Sequence, residues 1–120
     1  MRRVTAFAVI AHALATPAAV AAPESAAFLL PACRVYVQSA DRGERLRLER
    51  GVCLGTIETV LRLHRQLRAA YQFCPPRQVT LLTAVQTVVA FAEGRRDLDQ
   101  PLHALAIEAF QQTWPCKPLR

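Results

Sequence analysis

Residues Gly51–Tyr71 read GVCLGTIETVLRLHRQLRAAY. Within them Cys53, Ile57, Val60, Leu61, His64, Leu67 and Tyr71 recur at steps of three and four, while Glu58, Arg62, Arg65 and Arg68 fall largely elsewhere. That is the period of an α-helix with one apolar stripe, so the stretch is predicted to be a helix that lays one face on a core. Phe73-Cys74-Pro75-Pro76 ends it, because consecutive prolines cannot continue the hydrogen-bond ladder.

Working outward, a helix is predicted from about Thr80 to Glu93, with Leu81, Val85, Val88, Val89 and Ala92 on one face and Gly94 as its stop. Its valines individually favour a strand, and the period outweighs that preference. A last helix runs to Trp114, capped by Asp97 or Asp99, with Leu102, Leu105, Ala106, Ala109, Phe110 and Trp114 inward and Pro115 after it. On the other side, Ala40–Glu49 is polar, contains Gly43 and reads as a loop. A first helix covers about Glu24–Ser39, with Pro31 either kinking it or setting its true start. The fold class is all-α: a small four-helix bundle, with room for an extra short helix, linked by disulfides.

The N-terminus reads as a removable export signal. Met1-Arg2-Arg3 is a positive start, Val4–Ala15 is apolar, and Pro17–Ala22 supplies small residues for cleavage after Ala21 or Ala22. Residues 1–21 are therefore expected to be lost and residues 22–120 to form a single domain. Hydrophobic residues make up 52% of the 120, yet no uninterrupted run reaches the roughly 20 a spanning helix needs, so no membrane is expected after signal removal. The mature chain is expected to be exported.

Losing Arg2 and Arg3 from the 15 basic residues leaves 13 against 9 acidic, a net charge of about +4. Arg42, Arg45, Arg47 and Arg50 are interleaved with Asp41, Glu44 and Glu49, and no aromatics stand among them as stacking platforms. Such a pattern reads as a solvated face or as steering toward an acidic partner, and no nucleic acid is expected.

Cys33, Cys53, Cys74 and Cys116 all lie beyond the cleavage point. An even count in a short exported chain argues for two disulfides. Short connections make neighbouring helices antiparallel, so the start of the third helix lies beside the end of the fourth, where Cys74 and Cys116 stand. Cys33 and Cys53 flank the first turn-back of the chain. The pairs Cys33–Cys53 and Cys74–Cys116 follow, with Gly51 and Gly55 expected to ease the approach at Cys53.

Nothing reads as an enzyme site. No thiol is left free, and the cysteine separations of 20, 21 and 42 contain no short metal-ligand spacing. Ser25 and Ser39, the only serines, sit in no nucleophile context. His64 lies on the apolar face and reads as a hydrogen-bonded core histidine, and His103 has no acidic orienter. No metal and no cofactor is expected.

Gly51-Val-Cys53-Leu-Gly55-Thr-Ile57, then Phe73-Cys74-Pro75 leading into a valine-rich helix, then Trp114-Pro115-Cys116 closing the last one, resembles the Rap/Tai family of type VI secretion immunity proteins. The resemblance extends from about Leu29 to Cys116. Departures are Thr56 where the family usually has an aromatic, Arg95 and Arg96 where a proline is common, and Thr83 where a glutamine is usual. The resemblance implies a periplasmic helical protein, often a homodimer, that binds and sterically blocks a peptidoglycan amidase effector. It places the plugging segment at residues 94–100, with Arg95, Arg96, Asp97, Leu98 and Asp99 as partner-binding residues and Leu98 exposed. Leu63 and Ile107 lie off the main apolar faces and are expected to contribute to a dimer contact. The alternative function is a periplasmic stress or chaperone-like helical protein that shares the scaffold without an amidase partner.

Overall fold

A computed structural model describes residues 17, 19–38 and 46–117. Most of the expected signal segment, residues 1–16 and 18, the last residue of the expected first helix, Ser39, residues 40–45 of the expected loop, and residues 118–120 lie outside the described residues. Among the described residues four α-helices make the fold: α1 (Ala26–Gln38), α2 (Arg47–Arg62), α3 (Leu81–Ala92) and α4 (Leu102–Thr113). α1 packs on α2 and α3, and α2 and α3 both pack on α4, which closes one shared core. Leu29, Leu30, Ile57, Phe73, Val85, Val88, Leu105 and Phe110 lie at its centre.

α1 and α3 take their ends from local chemistry. Ser25 precedes α1, and its Oγ accepts the Phe28 N–H at 3.2 Å. Pro31 lies inside α1 on its exposed side, so the helix continues through it instead of starting there. Thr80 caps α3 by accepting the Thr83 N–H at 3.1 Å. Gly94 follows α3 in the left-handed conformation, φ 75°, as expected of a glycine stop. α4 departs from expectation: neither Asp97 nor Asp99 caps it, and Pro101 is its N-cap residue. The Leu102 N–H instead donates to the Glu24 carbonyl at 2.9 Å, so backbone from before α1 replaces a side-chain cap.

α2 is shifted relative to the sequence reading. It begins at Arg47, inside the expected loop, and ends at Arg62 instead of Tyr71. Beyond it the chain forms two short 3-10 turns, His64–Gln66 and Ala69–Tyr71, with Leu67 and Gln72 extended between and after them. Continuing as an α-helix to Tyr71 would carry the chain about 13 Å farther along the axis of α2. The turns instead bring Phe73 into the core, 1% exposed, and set the Cys74 N–H 2.8 Å from the Trp114 carbonyl. Gln111 fastens them by donating from Nε2 to the Ala70 carbonyl at 2.8 Å. Tyr71, expected inward, therefore stands on the surface.

Two disulfides staple the bundle, in the pairs that the hairpin topology predicts. Cys33–Cys53, with Cα atoms 5.7 Å apart, is wholly buried between α1 and α2. Cys74–Cys116, with Cα atoms 4.9 Å apart, is exposed and ties the start of the α3 approach to the end of α4. Gly51 and Gly55 do not serve the first bridge: a Cβ added to either meets no atom within 4 Å. Residues two apart on a helix point about 200° from one another, so glycines that bracket Cys53 face away from its partner.

The glycines thus divide by sign. Gly94→Ala is expected to destabilise the fold by about 1 kcal/mol, since its backbone conformation disfavours any Cβ. Gly55→Ala is expected to stabilise it by about 0.5–1 kcal/mol through helix propensity alone. Urea unfolding of both variants checks the pair, and equal signs would contradict the account.

Candidate functional site

The connection between α3 and α4 is a tied-down loop. After Gly94, the Arg95 N–H donates to the Ala92 carbonyl at 3.2 Å. The Leu98 and Gln100 carbonyls then accept the N–H groups of Ala27 and Ala26 at 2.8 and 2.9 Å. Ser25 and Pro101 complete an isolated antiparallel bridge. The start of α1 thereby loses its orphan donors to this loop, and the loop acquires a fixed backbone.

Arg95 holds the outer side. Its Nε and Nη2 donate to the two carboxylate oxygens of Asp97 at 2.9 and 2.5 Å, and Nη2 also reaches Glu108 on α4 at 3.0 Å. The guanidinium carbon lies 4.5 Å from the centre of the Phe91 ring on α3. One side chain therefore clasps α3, the loop and α4 together. The hydrogen bonds from Arg95 hold the Asp97 carboxyl below the usual carboxylate range, against a smaller opposing effect of desolvation. The same contact with Asp97 raises the guanidinium pKa.

The lowered pKa fixes a sign. Below the ordinary carboxylate value the unfolded chain binds the Asp97 proton before the folded one does, so the clasp contributes above about pH 4 and is lost as pH falls through the folded value. An NMR titration of the Asp97 carboxyl is expected to show a midpoint below the unfolded one, and Arg95→Ala to move it upward. An unmoved midpoint would remove Arg95 as the cause.

Of the five residues that the resemblance assigns to a partner, three are thus engaged within the fold. Arg95 and Asp97 hold each other, and Leu98, expected to be exposed, is half-buried against the core. Arg96 and Asp99 are exposed and make no side-chain hydrogen bond or ion pair with the described residues.

Beside the loop lies a cleft of about 390 Å³ lined by Tyr71, His103, Ala104, Ile107, Glu108 and Gln111, together with Ala70. Tyr71 stands 54% exposed at its edge. The sequence reading missed this cleft because it placed Tyr71 inward on a longer α2, and no local signal distinguishes a helix that stops at Arg62. His103 shares the cleft with Glu108, whose carboxylate Arg95 already occupies. His64, expected in the core, is hydrogen-bonded but only half-buried, with Nδ1 2.9 Å from the Leu61 carbonyl and its ring 5.6 Å from that of Phe73.

The described residues contain no free cysteine and no cluster of three or more His, Cys, Asp or Glu side chains able to hold a metal. No described helix is long and apolar enough to cross a membrane. What the region offers is shape: a fixed loop with two outward charges of opposite sign and an aromatic-edged cleft on the adjoining helix.

Comparison with curated proteins and with solved structures gives no match. Residues 25–116 match the family described as Rap1a immunity proteins, a span that runs from the Ser25 cap to the last disulfide cysteine. Since that span takes in all four helices and both disulfides, the chain belongs to the Rap1a immunity protein family.

Proposed function

We propose that this chain is a periplasmic immunity protein that binds a peptidoglycan amidase effector of a type VI secretion system and blocks its substrate cleft sterically. Family membership supports the immunity role. The observation that carries the mechanism is the α3–α4 loop, whose backbone is bonded to α1 and whose shape is fixed by Arg95, leaving Arg96 and Asp99 pointing to solvent. A loop already ordered before binding loses little conformational entropy on docking, which favours plugging by shape. Inhibition of this kind requires no catalytic group of its own.

Export accords with the sequence of the first 22 residues and with the two disulfides. Cleavage after Ala21 or Ala22 would retain Glu24 and Ser25, both of which hold the loop or the start of α1.

On this reading the two neighbouring arginines have different roles. Arg96→Glu is expected to weaken effector binding tenfold or more, in the range of an interface arginine, and to leave the melting temperature unchanged. Arg95→Glu is expected to lower the melting temperature, because it sets a third carboxylate against Asp97 and Glu108. Calorimetric titration beside thermal melts checks both. Full affinity in Arg96→Glu together with Asp99→Lys would move the contact surface away from this loop.

A further inference from the structure

Charge is unevenly distributed along the bundle. Glu24, Glu93, Asp97, Asp99 and Glu108 stand in or around the α3–α4 loop, whereas residues 63–80 and 109–117 contain no Asp or Glu. Those two segments meet at the opposite end of the bundle, where the Cys74 N–H donates to the Trp114 carbonyl and Cys74 is bonded to Cys116. α3, with 12 residues, separates the two ends by about 18 Å.

The carboxylate-free end carries four cations. Arg65 lies in the first 3-10 turn, Arg68 just before the second, Arg77 shortly after Cys74, and Lys117 next to Cys116. All four are exposed, and among the described residues none makes an ion pair or a side-chain hydrogen bond. Glu58, the nearest carboxylate before this stretch, is taken by Arg62. Arg65 and Cys116 line one hollow of about 170 Å³, so the turns and the C-terminal segment present a single surface. Like charges gathered without a carboxylate repel one another, and the field they create attracts an anionic ligand.

A second feature narrows the ligand. Arg68 directly precedes the turn whose Ala70 and Tyr71 line the 390 Å³ cleft against α4. Tyr71, 54% exposed, sets an aromatic ring beside the polar side chains of His103 and Gln111. A ring flanked by hydrogen-bonding groups suits a sugar, which stacks its C–H face and bonds through its hydroxyls. A bilayer of anionic lipid matches the charge and leaves the cleft unused, whereas a glycan that bears carboxylates matches both.

We propose that this end of the bundle binds peptidoglycan itself, with Arg65, Arg68, Arg77 and Lys117 on the carboxylates of its stem peptides and Tyr71 on a sugar ring. The proposal rests on the reading above that the chain acts in the periplasm. It gives the two ends different tasks: the α3–α4 loop meets the effector, and the far end holds the inhibitor on the polymer that the effector cuts.

Co-sedimentation of the mature protein with purified sacculi tests this without any effector. Wild type is expected to pellet with sacculi at low salt and to be released as salt rises from about 0.02 to about 0.5 M, which shortens the screening length from about 20 to about 4 Å. Arg65→Gln, Arg68→Gln, Arg77→Gln and Lys117→Gln combined are expected to weaken retention on the order of a hundredfold, and Arg68→Gln or Lys117→Gln alone about three- to fivefold, while Arg96→Gln at the other end leaves it unchanged. The single variants carry the test independently of how well the combined one folds. Tyr71→Ala is expected to weaken retention without altering its salt dependence. Wild type that stays in the supernatant would overturn the proposal, as would retention unmoved by the four changes, or binding to phosphatidylglycerol vesicles without binding to sacculi. Effector inhibition by the combined variant is expected to be intact, so failure to bind sacculi beside working inhibition would remove this proposal and leave the immunity reading standing.

Discussion

Replacing Cys33 and Cys53 together by alanine is expected to lower the stability of the fold by about 5 kcal/mol. Two effects add. Opening a loop of 20 residues releases chain entropy worth about 3 kcal/mol. Both sulfurs are also completely buried, and truncating them removes core contacts between α1 and α2 worth about 1 kcal/mol per site. Cys74–Cys116 closes the longer loop, 42 residues, which is worth about 4 kcal/mol by the same entropy, but it is exposed and its removal leaves no cavity. The buried bridge is therefore expected to matter more although its loop is half as long. Urea unfolding of the two double variants decides the order. A larger loss at Cys74 and Cys116 would mean that loop entropy alone governs the staples. With total stabilities of small domains at about 5–15 kcal/mol, the first variant is expected to be close to unfolded at 37 °C.

Phe110→Ala is expected to cost about 4 kcal/mol. The side chain is fully buried, and its ring lies 5.0 Å from that of Phe73 and 5.1 Å from that of Trp114. Deleting a buried aromatic ring costs about 3–5 kcal/mol, and the site cannot collapse freely because Phe73 and Trp114 are each fixed by backbone next to the Cys74–Cys116 bridge. Trp114 is the only tryptophan, so its fluorescence reports the local loss while far-ultraviolet circular dichroism reports the helices. Phe110→Leu is expected to cost under half as much. A loss below about 2 kcal/mol for Phe110→Ala would show that the aromatic row does not anchor the end of α4.

Where one helix carries one continuous apolar stripe, the sequence already specifies the structure. α3 and α4 lie within about two residues of their expected ends at all but the start of α4, and Val85, Val88, Leu105 and Phe110 are inward as their spacing requires. Tertiary demands explain the rest. The apolar period continues from Ile57 through Leu67 to Tyr71, yet the helix stops at Arg62 because Phe73 and Cys74 must reach α4. Nothing local marks that stop. The cap of α4 was misplaced for a similar reason: an aspartate before a helix is ordinarily its cap, but Asp97 is taken by Arg95, and the donor at Leu102 is satisfied by Glu24, seventy-eight positions away.

The resemblance proposes residues 94–100 as the partner-binding segment, and the fold holds the backbone of that segment against the start of α1. Which of its side chains face outward depends on Phe91 and Glu108, which lie on other elements, so the sequence could not separate Arg96 from Arg95. The Tyr71 cleft depends on the early end of α2 and was equally hidden. The glycines of α2 carried the opposite difficulty: they were conspicuous, but only the structure shows that they face away from the bridge they bracket.

The central claim, that this chain neutralises a peptidoglycan amidase, is tested most directly by periplasmic co-expression with the candidate effector. Lysis is followed by optical density, and complex formation by size-exclusion chromatography of the purified pair. The account predicts that the effector alone lyses the cells, that this chain prevents lysis, and that the two proteins elute together. Equal lysis with and without the chain, combined with separate elution, would contradict it.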